Sequence, residues 1–588
     1  MPRLVARNPL LWLSLFAVVV GIVTGLGAAL FRLLVALVHN LAFYGEFSWF
    51  YDANLFGPPS PWGPFVILAP VLAGLVVVWI VETFAPEARG HGVPEVMYAI
   101  YYREGLIRPV VAVAKTLASA LSIGSGASVG REGPIIQIGS AFGSTFAQWL
   151  RLEPWQRITM ICAGAGAGIA ATFNTPLGGV LFAVELLMPE ISARTFLPVV
   201  IATGTATYVG RLFFGSAPAF HLDRAGVGTV EDVALPTLVL LALLGVLCGL
   251  AAFAFIRTLT FLELRFERWR ASPYLKNLAG MTVIGAVMYA LFLYDGHYHT
   301  AGVGYATIQA VLDHRITLAW FLALLFVLKL LATSLSLAAG ASGGVFAPSL
   351  FMGATLGGAF GALVVPLFGI DDFTVGEFAI VGMASTVAGG TGAALMSIVM
   401  IFEMTRDFHI LFPSILACGL AVGVRRLLSD ENIYTIKLLW RGVRIPKERH
   451  SNMFLVRHAH EVMSTDCFVM DADLAVQEAL RRLPEKPDSE YIVVADRDRV
   501  VGVILVPPSL HGLRALAGHV TLRDIADRRW IVALPGQTMF EIFRRMARHD
   551  ALYVLVVDPV RVPHAHDVLG VIARAQITRA VIENFGRT

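Results

Sequence analysis

Glu132 is an acidic residue in the segment GASVGREGPIIQIGSAFG (126–143), where most other residues are apolar or small. An ionisable side chain in such a segment suggests a function, because burying a charge in hydrocarbon is costly. Its carboxylate resembles a small anion: when ionised it could occupy an anion site, and when protonated it could swing away. Glu132 is therefore our candidate for both a gate and a proton carrier. The structural alternative is a first-turn glutamate that only complements the helix dipole.

Three Gly/Pro signatures predict helix starts that could form such an anion site: GHGVP (90–94), GREGP (130–134) and GGVFAP (343–348). Glycine permits positive φ, proline suits the first helical turn, and the free N–H groups of a helix start attract anions. Weak amide donors also let an anion leave quickly. The candidate anion-binding residues are Gly90, His91, Gly92, Val93, Pro94, Gly130, Arg131, Gly133, Pro134 and Gly344. Arg131 is expected to face a water-filled vestibule and steer anions. The alternative interpretation of the three signatures is that their glycines only permit helix packing or kinks.

An internal repeat supports the functional interpretation. Residues 126–143 align without gaps to GASGGVFAPSLFMGATLG (340–357), and GVLFAVEL (179–186) matches SIVMIFEM (397–404). Gly/Pro-interrupted segments at corresponding places of two halves are typical of transporters whose discontinuous helices meet near the bilayer midplane. We place the halves at about 9–215 and 234–428.

The elements that must position these motifs are membrane helices. Of 588 residues, 56% are hydrophobic and only 15% charged, well below the charge content of soluble domains. A spanning helix needs about 20 apolar residues, and long apolar runs occur at 9–31, 64–84, 196–214, 234–256, 316–337, 377–402 and 411–424. We expect a multi-pass protein of the cytoplasmic (inner) membrane with its N-terminus and C-terminal tail in the cytoplasm. The net charge is only +3 and the basic residues are scattered, which does not indicate nucleic-acid binding. The four cysteines are widely spaced, which does not indicate a metal site.

The composition changes near residue 440, which predicts a membrane domain over 1–440 and a soluble tail over 447–588. The tail reads twice as helix, strand, strand, with units at about 458–510 and 519–586. The first has a helix near 474–483 and strands at 491–496 and 499–505, and the second has MFEIFRRMARHD (539–550), 552–558 and 568–572. Two similar α/β units are expected to pair with each other.

With these motifs in order, nearly the whole chain resembles the CLC family of chloride channels and chloride/proton antiporters. The resemblance implies an all-α polytopic fold, an inverted repeat of broken helices, in a homodimer whose subunits each form a pore. It implies transport of chloride or other small anions, with Glu132 as the gating glutamate. It also implies that the amides of Val345 and Phe346 and the hydroxyl of Tyr434 line the central anion site.

Two positions depart from the family pattern. His91 replaces the serine of the usual GSGIP, so an imidazole N–H would replace a hydroxyl donor. Leu186 stands where antiporters carry a second, proton-transferring glutamate, while Glu185 and its repeat counterpart Glu403 are interpreted as structural ion-pair or interface residues. A leucine cannot relay protons, although water could. Channel and proton-coupled exchanger therefore both stay open, as does an exchanger that prefers fluoride or nitrate.

The tail resembles a tandem CBS domain, a fold that often binds adenine nucleotides through a Ser/Thr and an Asp after the GVI strand. Leu505 and Pro508 occupy these positions in the first unit, and Ala573 and Gln576 in the second, which argues against nucleotide binding. We predict no cofactor, with chloride as the transported ligand. An enzyme is disfavoured: GASG (340–343) resembles the serine motif of intramembrane proteases, but Ser342 would need a histidine base from a membrane helix.

Overall fold

The computed structural model describes residues 8–221, 233–445, 457–483, 491–506, 520–558, 564–574 and 577. The chain forms two compact units, Met1–Ile445 and Pro446–Thr588. In its described residues the first unit is helical and the second is mixed α/β.

The helices of the first unit fall into two series of similar order. The first series is α1 (Pro9–Tyr44), α2 (Leu68–Phe84), α3 (Val93–Tyr102), α4 (Val110–Gly124), α5 (Glu132–Trp149), α6 (Pro154–Phe173), α7 (Pro176–Phe182) and α8 (Ala193–Phe214). The second is α9 (Leu235–Arg268), α10 (Pro273–Asp295), α11 (Tyr305–Leu312), α12 (Ala319–Ala338), α13 (Phe346–Phe368), α14 (Val375–Thr391), α15 (Ala394–Thr405) and α16 (Leu411–Leu428). A short α17 (Thr435–Trp440) follows.

Within the described residues, eight helical stretches are long and apolar enough to cross a membrane. They are Leu10–Tyr44, Gly63–Phe84, Ala193–Phe214, Leu235–Arg268, Pro273–Asp295, Ala319–Ala338, Phe346–Phe368 and Leu411–Leu428. The apolar run predicted at 377–402 is not one span: α14 ends at Thr391, and Gly392 adopts φ 76° before α15. Gly392 ends α14 because glycine readily adopts the left-handed conformation. The apolar run continues through this position, so hydrophobicity alone does not reveal the helix end.

Glycine contacts hold equivalent helix pairs together in the two series. A Cβ placed on Gly139 of α5 would lie 2.2 Å from the carbonyl oxygen of Gly164 in α6. In the second series, a Cβ on Gly353 of α13 would lie 2.4 Å from the carbonyl oxygen of Gly382 in α14. Small residues let membrane helices approach this closely. The same device at the same place in both series is the physical counterpart of the sequence repeat.

Hydrogen bonds also run reciprocally between the two series. The amide of Ser342 donates to Ser122 Oγ (3.1 Å), and the amide of Ser128 donates to Ser336 Oγ (3.2 Å). Each serine hydroxyl thus supports the loop before the broken helix of the other half, and the two loops are held in a fixed relation.

Glu185 and Glu403 form a second reciprocal pair. Glu185 accepts the amides of Leu395 (3.3 Å) and Met396 (2.6 Å) at the start of α15, and Glu403 accepts those of Leu177 (3.1 Å) and Gly178 (2.7 Å) at the start of α7. A carboxylate at a helix start satisfies N–H groups that lack intrahelical partners. These two acids therefore join the halves.

In the second unit the described strands form two similar sheets. One contains β1 (Cys467–Asp471), β2 (Tyr491–Asp496) and β3 (Arg499–Leu505), and the other β4 (Trp530–Ala533), β5 (Tyr553–Val557) and β6 (Val568–Ala573). In each, the first pair is parallel and the second antiparallel. The short helices are α18 (Ala459–Val462), α19 (Val476–Arg482), α20 (Leu522–Ile525) and α21 (Met539–His549). The helix, strand, strand order was predicted, but β1 and β4 were not.

The two sheets share a core, because buried Val493 and Val503 of one cluster with Leu555 and Val571 of the other. The paired α/β arrangement is thus present in the described part of the tail. Of the positions compared with nucleotide-binding patterns, Leu505 ends β3 and Ala573 ends β6. Pro508 and Gln576 lie outside the described residues.

Candidate functional site

The three Gly/Pro signatures are helix starts. Helix α3 begins at Val93, α5 at Glu132 and α13 at Phe346, with Gly92, Arg131 and Val345 as their N-terminal caps. Pro94 and Pro134 occupy the first turns of α3 and α5. Gly90 (φ 73°) and Gly92 (φ 80°) need the left-handed conformation that glycine tolerates.

Backbone hydrogen bonds bring the three loops together. The amide of Gly130 donates to the Gly344 carbonyl (2.8 Å), and the Gly344 amide donates to the Gly130 carbonyl (2.6 Å). The Gly343 amide donates to the Gly90 carbonyl (3.3 Å). A Cβ on Gly133 would lie 2.2 Å from the carbonyl oxygen of His91, so this approach requires glycine. Three helix starts distant in sequence therefore meet at one place.

The Glu132 carboxylate lies at this meeting point and binds residues of the other half. Oε1 accepts a hydrogen bond from the Tyr305 hydroxyl (2.6 Å), and Oε2 accepts one from the Ala347 amide (3.1 Å). Glu132 is 1% exposed. The carboxylate thus sits at the start of α13, where exposed N–H groups and the helix dipole attract negative charge. A free anion would be bound there by the same donors.

Tyr305 belongs to a fourth helix start that the motifs did not reveal. It opens α11 after the loop Thr300–Gly304, in which Gly302 (φ 53°) and Gly304 (φ 80°) repeat the Gly-x-Gly conformation of Gly90 and Gly92. This loop is the counterpart of the GHGVP loop in the second half. Tyr305, directly after this loop, donates its hydroxyl hydrogen to Glu132. Val93, at the corresponding place in the first half, has no hydroxyl group.

Two buried lysines hold these two loops in the same way. Lys115 Nζ donates to the carbonyls of Ala88 (2.9 Å) and Gly90 (2.6 Å). Lys329 Nζ donates to those of Thr300 (3.1 Å) and Gly302 (2.8 Å). Both side chains are fully buried, and within the described residues neither lysine has an acidic partner at ion-pair distance. Each lysine therefore ties one Gly-x-Gly loop to the helix that carries it, Lys115 on α4 and Lys329 on α12.

His91 is a buried polar side chain without a protein partner. It is 1% exposed, and neither ring nitrogen has a hydrogen-bond partner among the described residues. Its ring centroid lies 6.1 Å from that of Tyr434, which is also buried. Buried polar groups are normally satisfied, so an unpaired one calls for an explanation. An anion that accepts the imidazole N–H would supply the missing partner.

Tyr434 is fixed by the loop before α17. Its amide donates to Asn432 Oδ1 (2.9 Å), and Asn432 Nδ2 donates to the Thr391 carbonyl at the end of α14 (2.7 Å). On α17, Lys437 Nζ pairs with Glu263 (3.0 Å) and would lie 2.9 Å from a Cβ on Gly90. This places another cation beside the GHGVP loop.

Arg131, which directly precedes Glu132, lines an open cavity. Its guanidinium carbon is 5.0 Å from the ring centroid of Tyr305 and 5.2 Å from that of Phe173. The cavity is also lined by Gly126 and by the Ala301–Val303 part of the fourth loop. The role of Arg131 in a vestibule that steers anions stays a prediction.

The structure brings the predicted residues of all three motifs and Tyr434 into one region, and adds four that sequence reasoning missed. These are Tyr305, Ala347, Lys115 and Lys329. Lys115 and Lys329 are separated by 214 positions, the offset that aligns the two halves. A search for charged residues at that offset could have found them. Leu186 is buried and apolar, as its type predicts.

The serine that suggested a protease is part of the packing around the loops. Ser342 Oγ donates to the Ala88 carbonyl (2.8 Å) and lies 3.0 Å from Ser119 Oγ. The imidazole of His299 is bonded to Asp295 (2.6 Å) and Thr307 (3.0 Å), not to Ser342. Ser342 and His299 are therefore not paired as the nucleophile and base of a serine protease would be.

Comparison with known proteins identifies relatives of the helical unit. The family described as "Voltage gated chloride channel" matches residues 73–426. H(+)/Cl(-) exchange transporters ClcA from Salmonella paratyphi B and Salmonella newport are 31% identical over 441 residues, covering 74% of this chain and 89% of theirs.

Solved structures share the fold. A slow cyanobacterial Cl-/H+ antiporter aligns with a TM-score of 0.64 at 26% identity, over 73% of this chain and 97% of that one. A eukaryotic CLC transporter aligns with a TM-score of 0.63 at 22% identity, over 96% of this chain and 98% of that one. A CLC-type fluoride/proton antiporter aligns with a TM-score of 0.58 at 22% identity, over 72% and 97%.

These likenesses confirm the predicted fold class, a polytopic helical membrane protein with a repeated set of broken helices and a C-terminal α/β part. They also confirm that the protein is not an enzyme, since the matched family consists of channels and transporters. Because the family match extends over more than half of the chain and relatives exceed 30% identity, the chain belongs to the voltage-gated chloride channel family.

Proposed function

We propose that the protein moves chloride and similar small monovalent anions across a cytoplasmic membrane, with Glu132 as the gate and proton-binding group. The observation that carries this proposal is the position of the Glu132 carboxylate at the start of α13, where it accepts the Ala347 amide and the Tyr305 hydroxyl. An ionised carboxylate competes with chloride for these donors. Protonation weakens that competition, so the side chain can leave and an anion can take its place.

The neighbouring groups supply an anion site of moderate strength. The proposed ligands are the helix-start amides of Val345 and Phe346, the Tyr434 hydroxyl and the otherwise unpaired ring of His91. Lys115 and Lys329 support the site indirectly, because their Nζ atoms are bonded to loop carbonyls. A full cation in direct contact would bind the anion tightly, whereas several weak donors allow rapid release.

Proton coupling is the finer part of the proposal. The similarity to H(+)/Cl(-) exchange transporters and to a Cl-/H+ antiporter supports exchange, while Leu186 removes the side chain that would relay protons inward. We propose an exchanger in which water reaches Glu132 past Leu186. The alternative of a passive channel retains the same gate, and the similarity in fold to a fluoride/proton antiporter keeps fluoride preference among the alternatives.

Reconstitution in proteoliposomes tests this function. A chloride gradient is imposed without a proton gradient, and chloride and proton movements are recorded together, with fluoride and nitrate in parallel. Uphill proton movement is the expected result. Chloride flux that reaches the Nernst potential without proton movement would identify a channel, and absence of any anion flux would overturn the proposal.

The assembly and orientation follow from the same resemblance. We propose a homodimer with one pore in each subunit, with the N-terminus and the tail in the cytoplasm, a membrane domain over 1–440 and a tandem CBS domain over 447–588. The paired sheets of the tail support the last point. Light scattering of the detergent-solubilised protein would measure the subunit number.

His91 is expected to set anion preference. In His91→Ser a small hydroxyl replaces the imidazole, so the site gains room and its donor moves; we expect the nitrate-to-chloride flux ratio to change about threefold, corresponding to less than 1 kcal/mol. The measurement is flux in a series of anions at constant pH. Ser122→Ala, which alters a loop-supporting hydroxyl without touching the proposed ligands, is the control for nonspecific loosening. Identical preference in His91→Ser and the unmodified protein would remove His91 from the anion site.

A further inference from the structure

The cavity lined by Arg131 contains a second arginine, Arg32, which comes from α1 rather than from any Gly/Pro signature. We propose that Arg32 and Arg131 together form a separate recruitment site for a small monovalent anion, one step outside the position of Glu132. This inference rests on the proposed function and adds a second anion-binding site to the transport path. Its ligand is the transported anion itself, held loosely before it reaches the helix starts.

The two arginines are not neutralised by direct ion pairs. Within the described residues neither has a carboxylate at ion-pair distance, and the buried Nε of Arg131 has no hydrogen-bond partner. Among the described residues that line the cavity, Arg32 and Arg131 are present and no aspartate or glutamate is. Two guanidinium groups without a carboxylate in the lining leave the cavity positive, and such a charge in a concave site raises the local anion concentration.

Aromatic rings hold both guanidinium groups without removing their charge. The guanidinium carbon of Arg32 lies 4.1 Å from the ring centroid of Phe214 in α8, and Arg131 lies over Tyr305 and Phe173. Stacking on a ring face fixes a guanidinium while its N–H groups stay available to an anion. The geometry therefore resembles a built binding site more closely than two mobile surface charges would.

The cavity is connected to the gate through residues already described. Its lining includes Gly126, Gly302 and Val303. Tyr305, two positions after Val303, donates a hydrogen bond to Glu132. An anion between Arg32 and Arg131 would wait next to the side chain that must move. The site would thus increase the rate of entry and have little effect on the preference among anions, which the helix starts determine.

Arg32→Gln tests the site through its dependence on ionic strength. At about 10 mM salt the Debye length is about 30 Å, and at about 1 M it is about 3 Å. We expect chloride flux in Arg32→Gln to fall about threefold at the lower salt concentration and to approach that of the unmodified protein at the higher one. Arg257→Gln is the matched control, because Arg257 also lies over a phenylalanine ring on a long helix but outside this cavity; its flux should not change.

Flux that is insensitive to Arg32→Gln at low salt overturns the recruitment site, and a loss that is equal at both salt concentrations overturns it too, because it indicates a packing defect. Absence of flux in the unmodified protein would instead contradict the proposed function.

Charge restoration provides a second and independent readout. In Arg32→Cys, a methanethiosulfonate reagent carrying a trimethylammonium group should restore flux at low salt, and one carrying a sulfonate should lower it further. The native cysteines Cys162, Cys248 and Cys418 are buried, and Cys467 lies in the tail, so the unmodified protein treated with both reagents is the control. Equal effects of the two reagents would contradict an electrostatic role.

Discussion

Replacing Glu132 by glutamine is expected to leave chloride flux intact, to make it independent of pH, and to abolish coupled proton movement. Glutamine has nearly the shape of the protonated acid but cannot ionise, so it competes poorly with chloride for the Ala347 amide and the Tyr305 hydroxyl. It also cannot carry a proton. The measurement is simultaneous recording of chloride and proton flux in proteoliposomes over a range of pH.

The change in Glu132→Gln should be large, since the only proposed proton-binding group in the anion path is lost. Glu82→Gln is the control: Glu82 is a half-exposed glutamate at the end of α2, with Arg89 as its neighbour at 4.0 Å. Its flux and coupling should match those of the unmodified protein. If Glu132→Gln retained the original pH dependence, another group would have to be the gate.

The positions of the helix starts could be predicted from the sequence because they depend on local chemistry. Glycine and proline act through the backbone of their own residues and neighbours. The motifs GHGVP, GREGP and GGVFAP therefore predict the starts of α3, α5 and α13 without knowledge of the tertiary structure. Their convergence followed from the repeat, which relates two of the three. The closeness of Gly130 and Gly344, joined by two backbone hydrogen bonds, is the result.

The fourth helix start was missed because its sequence lacks the complete Gly/Pro signature. The loop Thr300–Gly304 keeps the two glycines of GHGVP but has no proline, and Tyr305 stands where the first half has Val93. Its role depends on a contact with Glu132, which lies more than 170 positions away along the chain. Such contacts are set by helix packing, and no local pattern encodes them.

The buried lysines illustrate a different limit of sequence reasoning. A lysine in an apolar helix is a functional candidate by type, yet the partners of Lys115 and Lys329 are backbone carbonyls. Carbonyl groups carry no sequence signature. The offset of 214 marks the two lysines as a pair, while only the folded structure shows which loops they hold.

Tyr305→Phe is expected to move the pH dependence of chloride flux toward higher pH. The Tyr305 hydroxyl donates to Glu132 Oε1 at 2.6 Å, and a hydrogen bond to a charged group contributes about 1.5–3 kcal/mol. This bond favours the ionised carboxylate, which is the closed gate. Without it the gate is protonated, and opens, at higher pH; since 1.36 kcal/mol corresponds to about one pH unit, the midpoint should rise by about one to two units.

Other groups that favour the ionised carboxylate remain in Tyr305→Phe, which limits the shift. The Ala347 amide still donates to Oε2, and the guanidinium of the adjacent Arg131 is unchanged. The gate should therefore still close at alkaline pH, and flux near neutral pH should increase several-fold. Loss of closure at every pH would mean that Tyr305 holds the whole loop, as Lys329 does, and does more than donate one hydrogen bond.

Two comparisons separate a direct effect on Glu132 from a general disturbance. Tyr51→Phe removes a hydroxyl from the cavity lined by Arg131, where the Tyr51 and His39 ring centroids are 4.0 Å apart, and should leave the midpoint unchanged. Adding Tyr305→Phe to Glu132→Gln should produce no further change in pH dependence, because the titrating carboxylate is already absent. A midpoint that stays in place in Tyr305→Phe alone, or a shift that persists in the double variant, would show that the hydroxyl does not act through Glu132.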